Sequence, residues 1–458
     1  MKNKYFGTDG FRGEVNVNLT ASHAYKIGRF LGWYFSSEFS KSNNNKTKIV
    51  IGKDTRRSSY MLEYALCSGI IASGADAYIL HVTTTPSVSY VTRNEDFDCG
   101  IMITASHNPF YDNGIKLINR YGEKFDDNAT CLIEEYIDGN LKNLNIEGDD
   151  LPLAKRENIG KIVDYVSGRN RYVGYLISLA SHSYKHLKIG LDCANGAVWS
   201  IARAVFEALG AQSYVIGDAP NGTNINENCG STHIENLCQL VREQHLDIGF
   251  AFDGDSDRCI AVDEKGNVVD GDKMMYILAR RLKSRNMLRD DTVVATIMSN
   301  SGFVNSLKKA NINCELTTVG DRFVYERMQQ KDYDLGGEQS GHIILKKYAT
   351  TGDGLLTAIM IAEELCDSKT TLSKLAEPVF VYPQFTKNVR VKDKEAVTTN
   401  KTVLDAVKKV EEKIGGKGRV LLRKSGTEPV VRVMVECEKA DDCKTYAQMI
   451  ADTIVENI

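Results

Sequence analysis

The chain has 458 residues, room for about three domains at ~150 residues each. Lys and Arg total 57 against 60 Asp and Glu, a formal charge of −3, which is too even for a protein whose affinity rests on a basic, nucleic-acid-binding face. Hydrophobic residues at 42% and charged residues at 26% exclude wholesale disorder, and no apolar run approaches the ~18 residues of a membrane span.

The chain opens MKNKYFGTDGFRG, with no apolar core behind Lys2 and Lys4, so a secretory signal is not expected. Gly7, Gly10 and Gly13 surround Arg12, which reads either as a loop that aims a cation or as an ordinary turn. KSNNNKTK (41–48) reads as a solvated loop. KIVIG (48–52) predicts a strand, KDTRRSS (53–59) a polar turn, and Leu62, Ala65, Leu66, Gly69 and Ile70 one face of a helix that Gly74 can end. AYIL (77–80) then predicts a second strand, making a βαβ unit with a parallel pair. The apolar run IMI (101–103) leads into Thr104-Ala105-Ser106-His107-Asn108-Pro109, with Asn113-Gly114-Ile115-Lys116 beyond. The C-terminal end of a parallel strand is where α/β proteins place ligands. Ser106 is there a candidate nucleophile, with His107 or Lys116 to move its proton; a plain hydrogen-bonded turn is the alternative. No G-x-S-x-G elbow exists, so a hydrolase triad is not supported.

The βαβ pattern returns at KIGLDCANGA (188–197), with Val198, Ile201, Ala202, Val205, Phe206 and Leu209 as the helical face, Gly210 as its stop and SYVIG (213–217) as the strand. Further on, IGFAF leads into Asp253-Gly254-Asp255-Ser256-Asp257-Arg258 and CIAV follows. Carboxylates at i, i+2 and i+4 can converge on a hard divalent cation, and like charges between two apolar strands need a counter-charge that a solvated acidic turn would not. An EF-hand is excluded because Arg258 stands where the loop needs Gly, although Glu264 falls at the twelfth position. The pattern appears a third time in TVVATIMSNSG (292–302), a short helix around Phe303 and Leu307, and INCELTTV (312–319). In LGGEQSGH (335–342), Glu338, Ser340 and His342 offer donors and acceptors suited to sugar hydroxyls, and a Gly-rich turn is the alternative.

The C-terminal stretch differs. NVRV (388–391) predicts a strand, 402–414 a helix, RVLLR (419–423) and VVRVMVE (430–436) an antiparallel hairpin, and 440–456 a last helix, together a small α+β domain. At the hairpin turn, Arg423, Ser425, Gly426 and Thr427, with Arg432 after them, form a candidate anion nest; an exposed charged turn is the alternative. The fold expected is α/β: three mixed or parallel α/β domains (1–155, 156–257 and 258–372) and an α+β domain (373–458). The 11 cysteines include no C-x-x-C pair, so reduced thiols are expected in place of a zinc ribbon or a disulfide framework.

TASHNP, DGDxDR, GEQSGH and SGTEP, in this order and at these separations, resemble the α-D-phosphohexomutase superfamily over nearly the whole chain. GTDGFRG at the start, Gln339, and Val319-Gly320-Asp321-Arg322 lean toward its bacterial phosphoglucosamine mutases. The resemblance implies four domains around a central cleft. It implies a phosphorylated Ser106, and Mg²⁺ on Asp253, Asp255, Asp257 and Ser106. Glu338, Ser340 and His342 would contact the sugar; Arg423, Ser425, Gly426, Thr427 and Arg432 would hold the non-reacting phosphate; Arg12, His107, Lys116 and His342 are the acid/base candidates. The implied reaction is the reversible conversion of glucosamine 6-phosphate to glucosamine 1-phosphate through a 1,6-bisphosphate, feeding UDP-N-acetylglucosamine. A sibling phosphomannomutase or phosphoglucomutase is the alternative, with a metal-dependent sugar phosphatase behind it. A small phosphosugar is the expected partner, with neither nucleic acid nor membrane, in the cytoplasm; the oligomeric state is not given, and a homodimer is allowed. Two residues depart from the family pattern: Ser256 where Gly is usual, which strains a left-handed turn, and Lys424 where Pro is common.

Overall fold

The computed structural model describes residues 4–7, 9–39, 46–144, 146, 148–424 and 429–457. The chain divides into two compact units, one of Met1–Ile297 and Glu315–Ala376, the other of Met298–Cys314 and Glu377–Ile458.

The larger unit is built on three sheets. The first contains β1 (Phe6–Gly7), β2 (Gly10–Glu14), β3 (Lys48–Lys53), β4 (Asp76–Val82), β5 (Cys99–Ile103), β6 (Asp112–Asn119) and β7 (Ile162–Asp164), in the order β1-β2-β6-β5-β3-β4-β7. β3 pairs in parallel with β4 and β5, as the βαβ spacing predicts, while β6 returns antiparallel to β5. The helix Arg57–Ala72 carries Leu62, Leu66, Gly69 and Ile70 inward, and Gly74 follows its end at φ +93°. Helix Ala21–Phe39 crosses it closely; a Cβ on Gly69 would run into the Tyr25 carbonyl, so only glycine permits that approach.

The second sheet holds β8 (Lys188–Asp192), β9 (Gln212–Ile216), β10 (Ile248–Phe252), β11 (Cys259–Asp263) and β12 (Val268–Val269), in the order β12-β11-β10-β8-β9. The third holds β13 (Thr292–Thr296), β14 (Asn313–Thr317, whose last three residues belong to this unit), β15 (Leu335–Gly337) and β16 (Ile343–Leu345), in the order β14-β13-β15-β16.

One arrangement occurs in all three sheets. A strand paired in parallel with one neighbour ends in a loop, and the chain returns antiparallel beside it: β5 to β6, β10 to β11, β15 to β16. The three loops carry Ser106, the three aspartates and the GEQSGH motif. β5 and β10 are buried along their whole length, which is why they read as continuous apolar runs with no alternation.

The smaller unit has a three-stranded antiparallel sheet of β17 (Gln384–Arg390), β18 (Arg419–Lys424) and β19 (Val430–Glu436), in the order β17-β19-β18. Helices Lys401–Ile414 and Ala440–Asn457 contribute Val403, Val410, Ile450 and Ile454 to a core with Val389, Val431, Val433 and Val435.

The first sheet includes β7 and the second β12. Two expectations are corrected. The helix expected from Val198 begins at Ile201; Val198 is buried in the turn before it and accepts from the backbone N–H groups of Ile201 and Ala202. Cys437 and Cys443 are joined as a disulfide, against the expectation of reduced thiols. Cys437 follows β19 directly and Cys443 lies in the first turn of the last helix, so the chain reversal brings their Cα atoms to 5.8 Å.

Candidate active site

Ser106 follows the end of β5, buried and at φ +52°, a left-handed conformation costing an L-residue roughly 1–2 kcal/mol. Such strain persists only where the surroundings over-determine it. Ser106 N–H donates to Thr104 Oγ1 at 2.9 Å. Arg56, wholly buried, pairs its Nε with Asp54 Oδ2 at 2.8 Å and spends its other nitrogens on this loop. Nη2 donates to the carbonyls of Ser106 (3.0 Å) and Asn108 (2.8 Å), and Nη1 to those of Asp112 (3.0 Å) and Pro109. Asn226 adds a second donor to the Ser106 carbonyl, at 2.9 Å.

The loop between β10 and β11 meets this serine. Ser106 Oγ donates to Asp253 Oδ2 at 2.6 Å. Asp253, Asp255 and Asp257 are all buried, with a ligand oxygen of each within 4.8 Å of the others. Thr85 Oγ1 and Lys116 Nζ (2.7 Å) donate to Asp255 Oδ2, and Lys116 reaches Asp257 Oδ2 at 3.0 Å. Among the described residues, Asp255 Oδ1 and Asp257 Oδ1 accept no hydrogen bond. Burial, then the charges of Asp257 and Asp255, push the Asp253 carboxyl well above its ordinary value. Asp257 moves the other way: burial would raise it, but Lys116, His342 and Arg258 hold it well below. The orphaned oxygens and the all-oxygen donor set of three clustered carboxylates fit a hard divalent cation.

The acid/base candidates gather here. Burial opposes charge on Lys116, yet Asp255, Asp257 and Asp9 hold it protonated, well above its ordinary range. His107 Nδ1 stands 3.3 Å from Ser106 Oγ, and burial together with Arg258 and Arg12 pushes the imidazole down to about 4. Arg12, on β2 opposite Gly114, forms an ion pair with Asp9. His342 reaches the triad as well, its Nδ1 3.8 Å from Asp257 Oδ2.

In the rest of the GEQSGH loop, Glu338 Oε1 accepts from the Gly320 N–H at 3.1 Å, and Ser340 is exposed, lining a depression of about 340 Å³ with Arg258 and Gln339. A larger cavity of about 750 Å³ opens beside the triad, with Lys116, Asp257 and His342 in its wall. In the smaller unit, Arg423 and Arg432 are direct cross-strand partners. Ser425, Gly426 and Thr427 lie outside the described residues.

Sequence reasoning missed Arg56, Asn226 and Thr85. Arg56 carried a weak signal, a charge just past a parallel strand at the ligand end of the sheet. Asn226 and Thr85 carried none.

Four domain families match the chain in order: phosphoglucomutase/phosphomannomutase α/β/α domain I over residues 3–143, domain II over 170–266, domain III over 270–382 and the C-terminal domain over 387–453. A phosphoglucosamine mutase of Lachnospira eligens is 58% identical over 451 residues, covering 98% of both chains. One of Lachnoclostridium phytofermentans is 54% identical over 447 residues, covering 98% of this chain and 97% of its own. The chain belongs to the phosphohexomutases, among the phosphoglucosamine mutases. Phosphohexomutases are isomerases, and the fold agrees. A phosphoglucomutase/phosphomannomutase family protein of Burkholderia thailandensis superposes with a TM-score of 0.79 at 21% identity, covering 99% of this chain and 97% of that one. An Aspergillus fumigatus N-acetylphosphoglucosamine mutase, solved with GlcNAc-6P and magnesium, gives 0.69 at 17% identity over 99% of this chain and 96% of that one.

Proposed function

We propose that this phosphohexomutase interconverts glucosamine 6-phosphate and glucosamine 1-phosphate, with Ser106 as the phosphoryl carrier. The observation that carries the reading is the 2.6 Å hydrogen bond from Ser106 Oγ to Asp253, which sets a hydroxyl against a cation-seeking cluster. Phosphoryl transfer asks a protein for in-line positioning and charge neutralisation more than for covalent help. Phosphorylated Ser106 gives its phosphoryl group to the free hydroxyl of the sugar phosphate. The Oγ–P bond breaks, an O–P bond to the sugar forms, and the hydroxyl proton passes to the neutral imidazole of His107, since Lys116 is held protonated. The 1,6-bisphosphate then presents its other end: the O–P bond there breaks, Ser106 Oγ takes back the phosphoryl group that was present at the start, and the proton returns to the freed sugar oxygen.

Asp253, Asp255, Asp257 and Ser106 Oγ would hold Mg²⁺, which when bound neutralises phosphoryl oxygens. Arg258, Arg12 and Lys116 supply fixed positive charge near them. Glu338, Ser340 and His342 are assigned to the sugar. Arg423 and Arg432, with Ser425, Gly426 and Thr427, are assigned to the phosphate that does not react, for which Arg offers forked contacts. A small, soluble phosphosugar is thus the partner, and the cytoplasm the compartment.

The test is the rate on glucosamine, N-acetylglucosamine, glucose and mannose phosphates, run beside Ser106→Ala. The reading requires fastest turnover of the glucosamine phosphates and none by the variant. Preference for glucose or mannose phosphate gives the sibling activity, and release of inorganic phosphate in step with substrate loss gives a phosphatase.

A further inference from the structure

Six side chains in the wall of the 750 Å³ cavity form a closed ring in which acidic and basic groups alternate. Lys116 Nζ lies 3.0 Å from Asp257 Oδ2, and Asp257 Oδ2 lies 3.8 Å from His342 Nδ1. His342 Nε2, which accepts from the Gly352 N–H at 3.1 Å, stands 3.5 Å from Asp321 Oδ2, and Asp321 Oδ1 lies 2.7 Å from Lys124 Nζ. Lys124 Nζ lies 3.4 Å from Asp9 Oδ1, which closes the ring at 3.7 Å from Lys116 Nζ. Lys116, Asp257 and His342 already have a part in the proposed chemistry. Asp9, Lys124 and Asp321 have none, and Asp321 belongs to the Val319–Arg322 motif that the reaction leaves unexplained.

Both ends of the Lys124–Asp321 link are anchored. Lys124 forms a backbone bridge opposite Ile118, two residues along β6 from Lys116, and Phe125 N–H donates to the Leu117 carbonyl at 3.1 Å. Asp321 opens the helix Asp321–Lys331, where its charge suits the helix dipole, and its Oδ1 also accepts from the Arg322 N–H at 2.8 Å. The link therefore ties β6, which carries Lys116, to the part of the third layer that abuts His342. The Asp321 side chain is 17% exposed and that of Lys124 34%, so solvent and salt screen the pair only in part.

We propose that Lys124 and Asp321 are positioning residues for phosphoryl transfer: their ion pair, continued through Asp9, holds Lys116 at a set distance from Asp257. Neither touches the reacting atoms in this account, and the inference rests on the mutase reading above. A displacement of a reacting group by an ångström costs on the order of a hundredfold in rate, so a broken link is visible in turnover.

The experiment measures kcat and KM for glucosamine 6-phosphate in wild type, Lys124→Met, Lys124→Arg, Asp321→Asn and the double variant Lys124→Met/Asp321→Asn, with circular dichroism to fix the folded fraction of each. Lys124→Met and Asp321→Asn should each lower kcat about ten- to hundredfold with KM changed by less than about threefold. Lys124→Arg should recover most of the rate, and the double variant should be no slower than the slower single one, since both break one link. The proposal is overturned if Lys124→Met turns over like wild type, if Lys124→Arg is as slow as Lys124→Met, if the two losses multiply, or if each loss merely follows the folded fraction. A wild-type enzyme that leaves glucosamine phosphates untouched overturns the mutase reading instead.

Discussion

Ser106 Oγ donates to Asp253 Oδ2 at 2.6 Å, although 147 positions separate the two residues and they end strands of different sheets. The same serine presents its carbonyl to Arg56 and Asn226, one from each of the two sheet layers. The hydroxyl and the aspartate cluster are thus held as one object, with the left-handed backbone of Ser106 aiming the side chain at the carboxylates.

Arg56→Lys tests that platform. A lysine offers a point charge where the guanidinium spans four carbonyls and Asp54. Buried carbonyls left without donors cost about 1–3 kcal/mol each, so urea denaturation should show a loss of at least that size. The rate should fall with it; wild-type stability in the variant would show that the loop holds itself.

Ser256→Gly should act in the opposite sense. Ser256 stands at φ +57° with a buried Oγ that has no hydrogen-bond partner among the described residues. Relief of the left-handed strain, ~1–2 kcal/mol, exceeds the ~0.4–1 kcal/mol that glycine costs through the unfolded chain, so a net gain near 1 kcal/mol is expected with activity kept. The check is the urea midpoint; a variant less stable than wild type would contradict the strain reading.

Mg²⁺ should raise the melting temperature of wild type and leave that of Asp255→Asn in place. A ligand at a hundred times its Kd adds about 2.7 kcal/mol to the folded state. Thermal scans with and without Mg²⁺ read this without any assay of turnover. EDTA should abolish interconversion, and an EDTA-indifferent rate would remove the metal from the account.

Asp353 predicts a pH dependence of stability. Burial pushes its carboxyl up to about 6 from an ordinary 3.8, with Leu356 N–H and Tyr172 OH donating to it. A carboxyl raised on folding contributes stability below the unfolded value, and that contribution is lost as pH rises through the folded one. Asp353→Asn keeps the helix cap and cannot ionise. Its stability relative to wild type should therefore climb between about pH 4 and pH 7, by ~3 kcal/mol at most. An equal difference in urea midpoint at pH 5 and pH 7.5 would contradict the assignment.

Much of the site was legible because its chemistry sits in short, contiguous loops. A hydroxyl after the buried run of β5 and three carboxylates after that of β10 stand out against apolar neighbours. What joins them was not legible. Arg56 reads as one charge in a polar turn, and its role arises from carbonyls some fifty positions away, a distance that no local periodicity encodes. Asn226 lies in a polar stretch with no apolar pattern. The βαβ strands, the helix between β3 and β4 and the elements of the last unit followed from apolar spacing, whereas the core helices Ala21–Phe39, Gly271–Ser284 and Gly354–Ser368 were not read, and neither were the strands β1 and β7. The first is two residues long, and the second is a three-residue strand at the sheet's end with no apolar face to bury. The Cys437–Cys443 pair likewise depends on a chain reversal that spacing alone does not announce.

The central claim is that Ser106 carries the phosphoryl group and gives it to a sugar phosphate. Protein labelled with phosphate at Ser106 and mixed with glucosamine 6-phosphate in a single turnover tests it directly. The account predicts that the label leaves the protein and appears on the sugar as bisphosphate and then monophosphate. Label that stays on Ser106, or emerges as inorganic phosphate while the sugar remains unlabelled, would contradict it.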